Sequence, residues 1–239
     1  MAAMTQGGAP AGDEHAALGG WVKLLSYVRP RVLEEFATPH NPRLAVVEAG
    51  GVRRLDGLTV NYSHGSLHVV LREAFETLAL RDRQLASALL LGFGGGSAVR
   101  LLRDEHGLDP AITAVEIDPE VITLARRWFG FASDPRLAFV EADAAEFVNS
   151  SRVEHDFVLV DAFVDERVPE ALCTRAFLRA AGDRVAPGGV LVFNTLADTL
   201  RRVLESEAIE AAARAELGGV TRIDVMQNRL VVWERPVRA

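Results

Sequence analysis

The segment LLLGFGGGSAVRLLRDEHGLDPAITAVEID, from Leu89 to Asp118, constrains this chain more than any other. Ala88 to Leu91 is a short apolar run of the kind a strand buried on both faces requires. Gly92, Gly94, Gly95 and Gly96 then allow the backbone to turn sharply and to approach a ligand without side-chain obstruction. Val99, Leu101 and Leu102 supply the apolar positions of a following helix. A second strand, Ile112 to Ile117, carries Glu116 at its end, with Asp118 just beyond. Glu116 lies roughly twenty residues past the first glycine, where a carboxylate can accept hydrogen bonds from the two hydroxyls of a ribose. The stretch reads as a nucleoside-binding βαβ unit.

Loop chemistry narrows the nucleoside. A dinucleotide fingerprint needs a third glycine where Ser97 stands, and no Walker-type lysine follows. A nucleoside with an amino-acid-like tail, such as S-adenosylmethionine, therefore fits better than a pyrophosphate. The plainer alternative is that glycines after a buried strand merely make a tight connection.

At 239 residues the chain can bury one α/β core with a small extension. Met1 to Gly20 is rich in Ala and Gly and has no signal-peptide core, so residues 1–20 read as a flexible tail and the protein as cytoplasmic. No run is apolar enough to span a bilayer, which argues against a membrane role. A single cysteine, Cys173, excludes an internal disulfide and a cysteine-cluster metal site, and no metal is expected. A formal net charge of −7 argues against nucleic acid as a partner and favours cationic small molecules.

The organisation is that of a small lobe ahead of a core. Residues 21–65 read as a helix over Trp21–Phe36, interrupted by Pro30, followed by short strands at Leu44–Val47, Val52–Leu55 and Leu58–Asn61. Exposed edges in such a lobe would suit a homodimer. From Ser66 to the end, helices alternate with strands at Leu137–Val140, Phe157–Val160 and Gly189–Phe193. A terminal hairpin, Val220–Val225 with Arg229–Trp233, closes the pattern. This is an α/β, Rossmann-like sheet with helices on both faces, whose ligands bind beyond the carboxyl ends of the strands.

That placement gives the later acids their meaning. Asp143 follows the third core strand and can accept from an adenine amine while the Ala144 N–H serves a ring nitrogen. It can equally cap the helix that begins at Ala144. Asp161 ends the strand Phe157–Val160 and can hold an amine acceptor and take its proton, or simply cap a turn. His64 and His68, with Tyr62 and Asn61, could touch an acceptor or be polar residues at a domain seam. Arg126, Arg127, Arg201 and Arg202 read as solvated helix faces.

The motifs LLLGFGGGSAVRLL, AVEIDPEVITLARRWF, DPRLAFVEADAAEFV, FVLVDAFVDERVPEALCTRAFL and VAPGGVLVFN occur in this order between Leu89 and Asn194. As a set they resemble the spermidine synthase-like group of class I S-adenosylmethionine-type transferases. The resemblance implies a seven-stranded class I methyltransferase fold. It also implies a cofactor site of the glycine loop, Glu116, Ile117, Asp143 and Ala144, with Asp161 as the acid nearest the nucleophile. Asp165, Tyr62 and His64 are the remaining candidates for the acceptor.

The chain also departs from the family pattern. An aspartate usual in the glycine loop of spermidine synthases aligns with Gly95. A glutamine after the Leu-Asp-Gly turn is replaced by Val60 and Asn61, and a Tyr-His/Gln-Glu motif falls on Val69, Val70 and Leu71. An Asp-Ser-x-Asp-Pro pattern has become Asp161-Ala162-Phe163-Val164-Asp165, so Asp165 stands for the second acid only with a one-residue shift. A loop aspartate would repel the carboxylate of intact S-adenosylmethionine by about 4 kcal/mol at a separation near 4 Å. Gly95 removes that repulsion, and the sequence leans towards S-adenosylmethionine and methyl transfer to a small, amine-type acceptor. The alternatives are aminopropyl transfer from decarboxylated S-adenosylmethionine to a polyamine, and a nucleoside-binding homologue that transfers nothing.

Overall fold

The computed structural model describes residues 29–57, 66–164 and 166–237. Two sheets organise them. The smaller is an antiparallel meander of β1 (Arg31–Phe36), β2 (Leu44–Ala49) and β3 (Val52–Asp56), in that order. Gly50 and Gly51 make its hairpin turn, both with positive φ. The larger sheet has seven strands in the order β6-β5-β4-β7-β8-β10-β9. These are β4 (Ser87–Leu91), β5 (Ala111–Glu116), β6 (Leu137–Glu141), β7 (His155–Val160), β8 (Val185–Leu196), β9 (Thr221–Val225) and β10 (Asn228–Glu234). Strands β4 to β8 run parallel, and β10 pairs antiparallel with both β8 and β9.

Successive side chains on a buried strand point to opposite faces, so each central strand must be apolar throughout. Ala88 and Leu90 enter one core with Phe157 and Leu159, while Leu89 and Leu91 enter the other with Val158 and Val160. The first core is covered by α1 (Ser66–Thr77), through Val70, Leu71, Ala74 and Phe75, and by α2 (Ser97–Arg100). The second is covered by α4 (Ala144–Ser150), α5 (Arg175–Gly182) and α6 (Leu200–Leu217), through Val148, Phe177, Leu178, Ala181, Ile209 and Ala213. Helices thus lie on both faces, as the alternation predicts. Helix α2 continues into a π turn over Leu101–Glu105.

Helix α3 (Pro119–Trp128) joins the two sheets. Its Val121 and Leu124, with Phe129, pack against Leu44, Val46 and Leu55 of the meander. The Asp118 side chain, fully buried, caps α3 by accepting from the Glu120 N–H at 3.1 Å. It also accepts from the Thr38 hydroxyl at 2.5 Å and the Asn41 amide at 2.6 Å, tying the β1–β2 connection to the end of β5.

One expectation is overturned. Arg31–Phe36, read above as helix, is strand β1, bulged between Val32 and Glu34 and paired with β2. The apolar spacing suits either structure, and cross-strand pairing decides it. Glu34 also turns to α3, where it accepts from the Trp128 indole N–H at 2.5 Å. The expected strand Leu58–Asn61, the tail 1–20 and the segment 21–28 lie outside the described residues.

Candidate active site

The carboxyl ends of β4, β5, β6, β7 and β8 open on one cavity of about 340 Å³. That volume lies in the range of small-molecule sites. Gly92, Phe93 and Gly94 enter it from β4, Glu116 and Ile117 from β5, and Asp143 and Ala144 from the end of β6. Asp161 follows β7, Asn194 lies on β8 and Asn228 on β10. Thr38 and Asn41 fasten the lobe so that His40 and Asn41 also line the cavity.

Two glycines are dictated by close approach. At Gly92, φ is +92°, and a Cβ would meet the Asp161 carbonyl oxygen at 2.3 Å. At Gly96, φ is +79°, and a Cβ would strike the Phe131 ring at 2.4 Å. Gly92 and Gly94 reach the cavity wall. Gly95 and Gly96 are buried beneath the loop and do not line the cavity, so their part in it is to shape the turn.

Glu116 accepts from the Phe93 N–H at 3.0 Å and from the Asp118 N–H at 3.1 Å. Burial raises its pKa above the ordinary carboxylate value, against the pull of those backbone hydrogen bonds. Ile117 presents an apolar surface that is 39 % exposed beside it. Asp143 realises its capping role, with one oxygen accepting from the Ala145 and Glu146 N–H groups at 2.8 and 3.0 Å. A nucleoside fits this donor set: an acceptor for ribose hydroxyls, an apolar face for a base, and backbone without side chains at the turn.

Asp161 lines the cavity from the end of β7, which flanks β4 on the side away from β5. The main chain holds it there, because its N–H donates to the Leu91 carbonyl at 2.9 Å. Desolvation raises its carboxyl pKa to about 6, while a hydrogen bond from Asn194 pulls it down. The Asn194 amide donates to Asp161 Oδ1 at 2.9 Å, and Asn228 donates to Asn194 Oδ1 at 2.9 Å.

Arg202 corrects the sequence reading. It is not on a solvated face: it lines the cavity, and its guanidinium pairs with Glu166 and with Asp198, the latter at 2.7 Å. His68 pairs with Glu105 at 2.6 Å and is absent from the cavity lining. The candidates Tyr62, His64 and Asp165 lie outside the described residues. Among the described residues no cluster of His, Cys, Asp and Glu could hold a metal, and no helix is long and apolar enough to cross a membrane.

The spermine/spermidine synthase domain matches residues 68–217, which include the carboxyl ends of β4 to β8 that line this cavity. The chain belongs to that family. A polyamine aminopropyltransferase of Chromobacterium violaceum is 34% identical over 157 residues, covering 61% of this chain and 59% of that protein. This family member spans about three fifths of the length of the Chromobacterium and Neisseria aminopropyltransferases it matches. A bovine (Bos taurus) eEF1A lysine and N-terminal methyltransferase is 31% identical over 119 residues, covering 44% of this chain and 17% of its own. The spermidine synthase of Thermotoga maritima shares the fold, with a TM-score of 0.68 at 17% identity, covering 87% of this chain and 74% of that one.

His40, Asn41, Asn194, Asp198, Arg202 and Asn228 line the site and were not assigned to it from the sequence. Asn194 had one signal, a lone amide ending the apolar run GVLVF. Asn228 and Arg202 had none.

Proposed function

We propose that this chain transfers an aminopropyl group from decarboxylated S-adenosylmethionine to a small amine. The observation that carries the reading is the charge of the cavity. Glu116, Asp143, Asp161, Glu166 and Asp198 line it, and Arg202, the one arginine among its described lining, is engaged by Glu166 and Asp198. Such a site favours ligands with positive charge and offers no uncommitted arginine or lysine to a carboxylate among its described lining. Decarboxylated S-adenosylmethionine carries a sulfonium and an ammonium without a carboxylate, and amine acceptors are themselves cations. The names of the aminopropyltransferase relatives point the same way.

The nucleoside supplies an electrophilic carbon beside the sulfonium and leaves as a thioether. Glu116 accepts from the ribose hydroxyls, and Asp143 and Ala144 meet the adenine edge. Gly92 and Gly94 let the main chain approach the sulfonium side. Asp161 orients the acceptor amine in line with the C–S bond and receives the proton released as the C–N bond forms.

Gly95 supports a second reading, methyl transfer from intact S-adenosylmethionine, because the loop lacks an acid that would repel the amino-acid carboxylate. A thermal-shift titration with the two nucleosides in parallel separates the readings. At a hundred times its dissociation constant the true ligand stabilises the fold by about 2.7 kcal/mol. Preference for the decarboxylated form is expected. Preference for the intact form would replace aminopropyl by methyl transfer, and no response to either would leave a binding homologue of different specificity.

A further inference from the structure

The side chain of Asp161 is not held by the main chain alone. Asn194, 1 % exposed, sits beside it because β7 and β8 run parallel with Val160 opposite Phe193. An asparagine amide can offer either its oxygen or its nitrogen to a neighbour, and only the nitrogen stabilises a carboxylate. Here the choice is made from a third strand. Asn228, at the start of β10, donates to Asn194 Oδ1 at 2.9 Å, and Asn194 Nδ2 donates to Asp161 Oδ1 at 2.9 Å. The amides and the carboxyl form a directed chain across β10, β8 and the end of β7.

We propose that Asn194 and Asn228 are positioning residues for Asp161. Together they occupy Oδ1, leave Oδ2 as the oxygen presented to the acceptor amine, and keep the carboxylate form available at neutral pH. The acceptor-facing part rests on the transfer reading above; the control of ionisation does not. Desolvation pushes the Asp161 carboxyl to about 6, and the opposing influence is the Asn194 hydrogen bond. The other titratable and charged groups sharing the cavity are His40 from the β1–β2 connection, Glu116 from β5, Asp143 ahead of α4, Glu166 from the loop after β7, and Asp198 and Arg202 at the start of α6. Arg202 is bound to Glu166 and Asp198, so it supplies no direct partner to Asp161.

The test follows the Asp161 carboxyl by ¹³C NMR through a pH titration, with the pH–rate profile as a second readout. Asn194→Ala should move the Asp161 titration, and the acid limb of the rate profile with it, to higher pH by about one unit, a tenfold change in proton affinity. Activity lost at pH 7 should return above pH 8. Asn228→Ala leaves the Asn194 contact possible but unfixed and should produce a smaller shift in the same direction. It also keeps the test alive if Asn194→Ala fails to fold. A merely structural role would lower activity evenly across pH. An unmoved Asp161 titration in either folded variant overturns the proposal. Should the titrations move while the wild-type protein transfers nothing to any amine, the relay stands and the transfer reading falls.

Discussion

The α-carbon of Gly92 faces the main chain of Asp161 so closely that a Cβ on it would stand 2.3 Å from the Asp161 carbonyl oxygen. The glycine loop and the proposed proton acceptor are therefore one mechanical unit, joined by the Asp161 N–H bond to the Leu91 carbonyl. Gly92→Ala strains a residue at φ +92° and also forces these main chains apart. A loss of about 3 kcal/mol is expected, read as a drop of roughly 10 °C in Tm. Nucleoside affinity and activity should fall together, because the wall on both sides of the ligand moves. A variant of unchanged Tm and activity would show that the close approach carries no cost.

Asp161 itself sets function against stability. Its folded pKa of about 6 lies above the ordinary 3.8. Its stabilising effect is thus complete at acid pH, where the carboxyl is neutral, and is lost as pH rises through 6. Above that, an ionised carboxylate burdens the fold by up to about 3 kcal/mol. Asp161→Asn keeps an acceptor for Asn194 and removes the burden. It should abolish transfer, raise stability at pH 8 by up to that amount, and give no gain below about pH 4. Urea denaturation at the two pH values checks the sign.

Glu116 should make nucleoside binding pH-dependent. Burial raises its pKa, and the ionised form is the better acceptor for ribose hydroxyls. Affinity should therefore weaken as pH falls through that raised value, with the loss absent in Glu116→Gln. At neutral pH the Gln variant should bind about 10- to 100-fold less tightly, one or two decades for one charge-assisted interaction. Calorimetric titration across pH tests both statements.

The parts of this site readable in the sequence are those built from consecutive residues. The strand, turn and helix around Gly92, the acid ending β5 and the cap at Asp143 are each encoded within a few positions of themselves. Their order alone requires the parallel sheet that gathers them. Arg31–Phe36 was not readable, because its partner strand, and not its own spacing, selects the extended form. Arg202 sits among charges that fit a solvated helix face, and only the return of the loop carrying Glu166 encloses it. The Asn228–Asn194 contact depends on a register that pairs Leu230 with Asn194 and Asn228 with Leu196 across an antiparallel ladder. No local pattern states that register.

The same dependence on distant residues governs the attachment of the small lobe. Asp118, fully buried, is the common acceptor for the Thr38 hydroxyl, the Asn41 amide and the Glu120 N–H. Asp118→Ala deprives all three donors of that acceptor, and the Asn41 amide loses it in a buried place. A buried donor left unmatched costs about 1–3 kcal/mol; only the Asn41 bond is buried and the Thr38 and Glu120 bonds are partly so, which makes a total of about 3 kcal/mol the expected loss. The loss should be local before it is global. The connection over residues 37–43 should become sensitive to proteolysis and exchange its amides faster, while β4, β5 and β7 remain protected. Because His40 and Asn41 line the cavity, acceptor KM should rise more than kcat falls. Asp118→Asn, which keeps one oxygen acceptor and sets an NH2 donor in place of the other, should recover part of the loss. Uniform exchange across both sheets in the Ala variant would instead show that Asp118 supports the whole core and not the lobe alone.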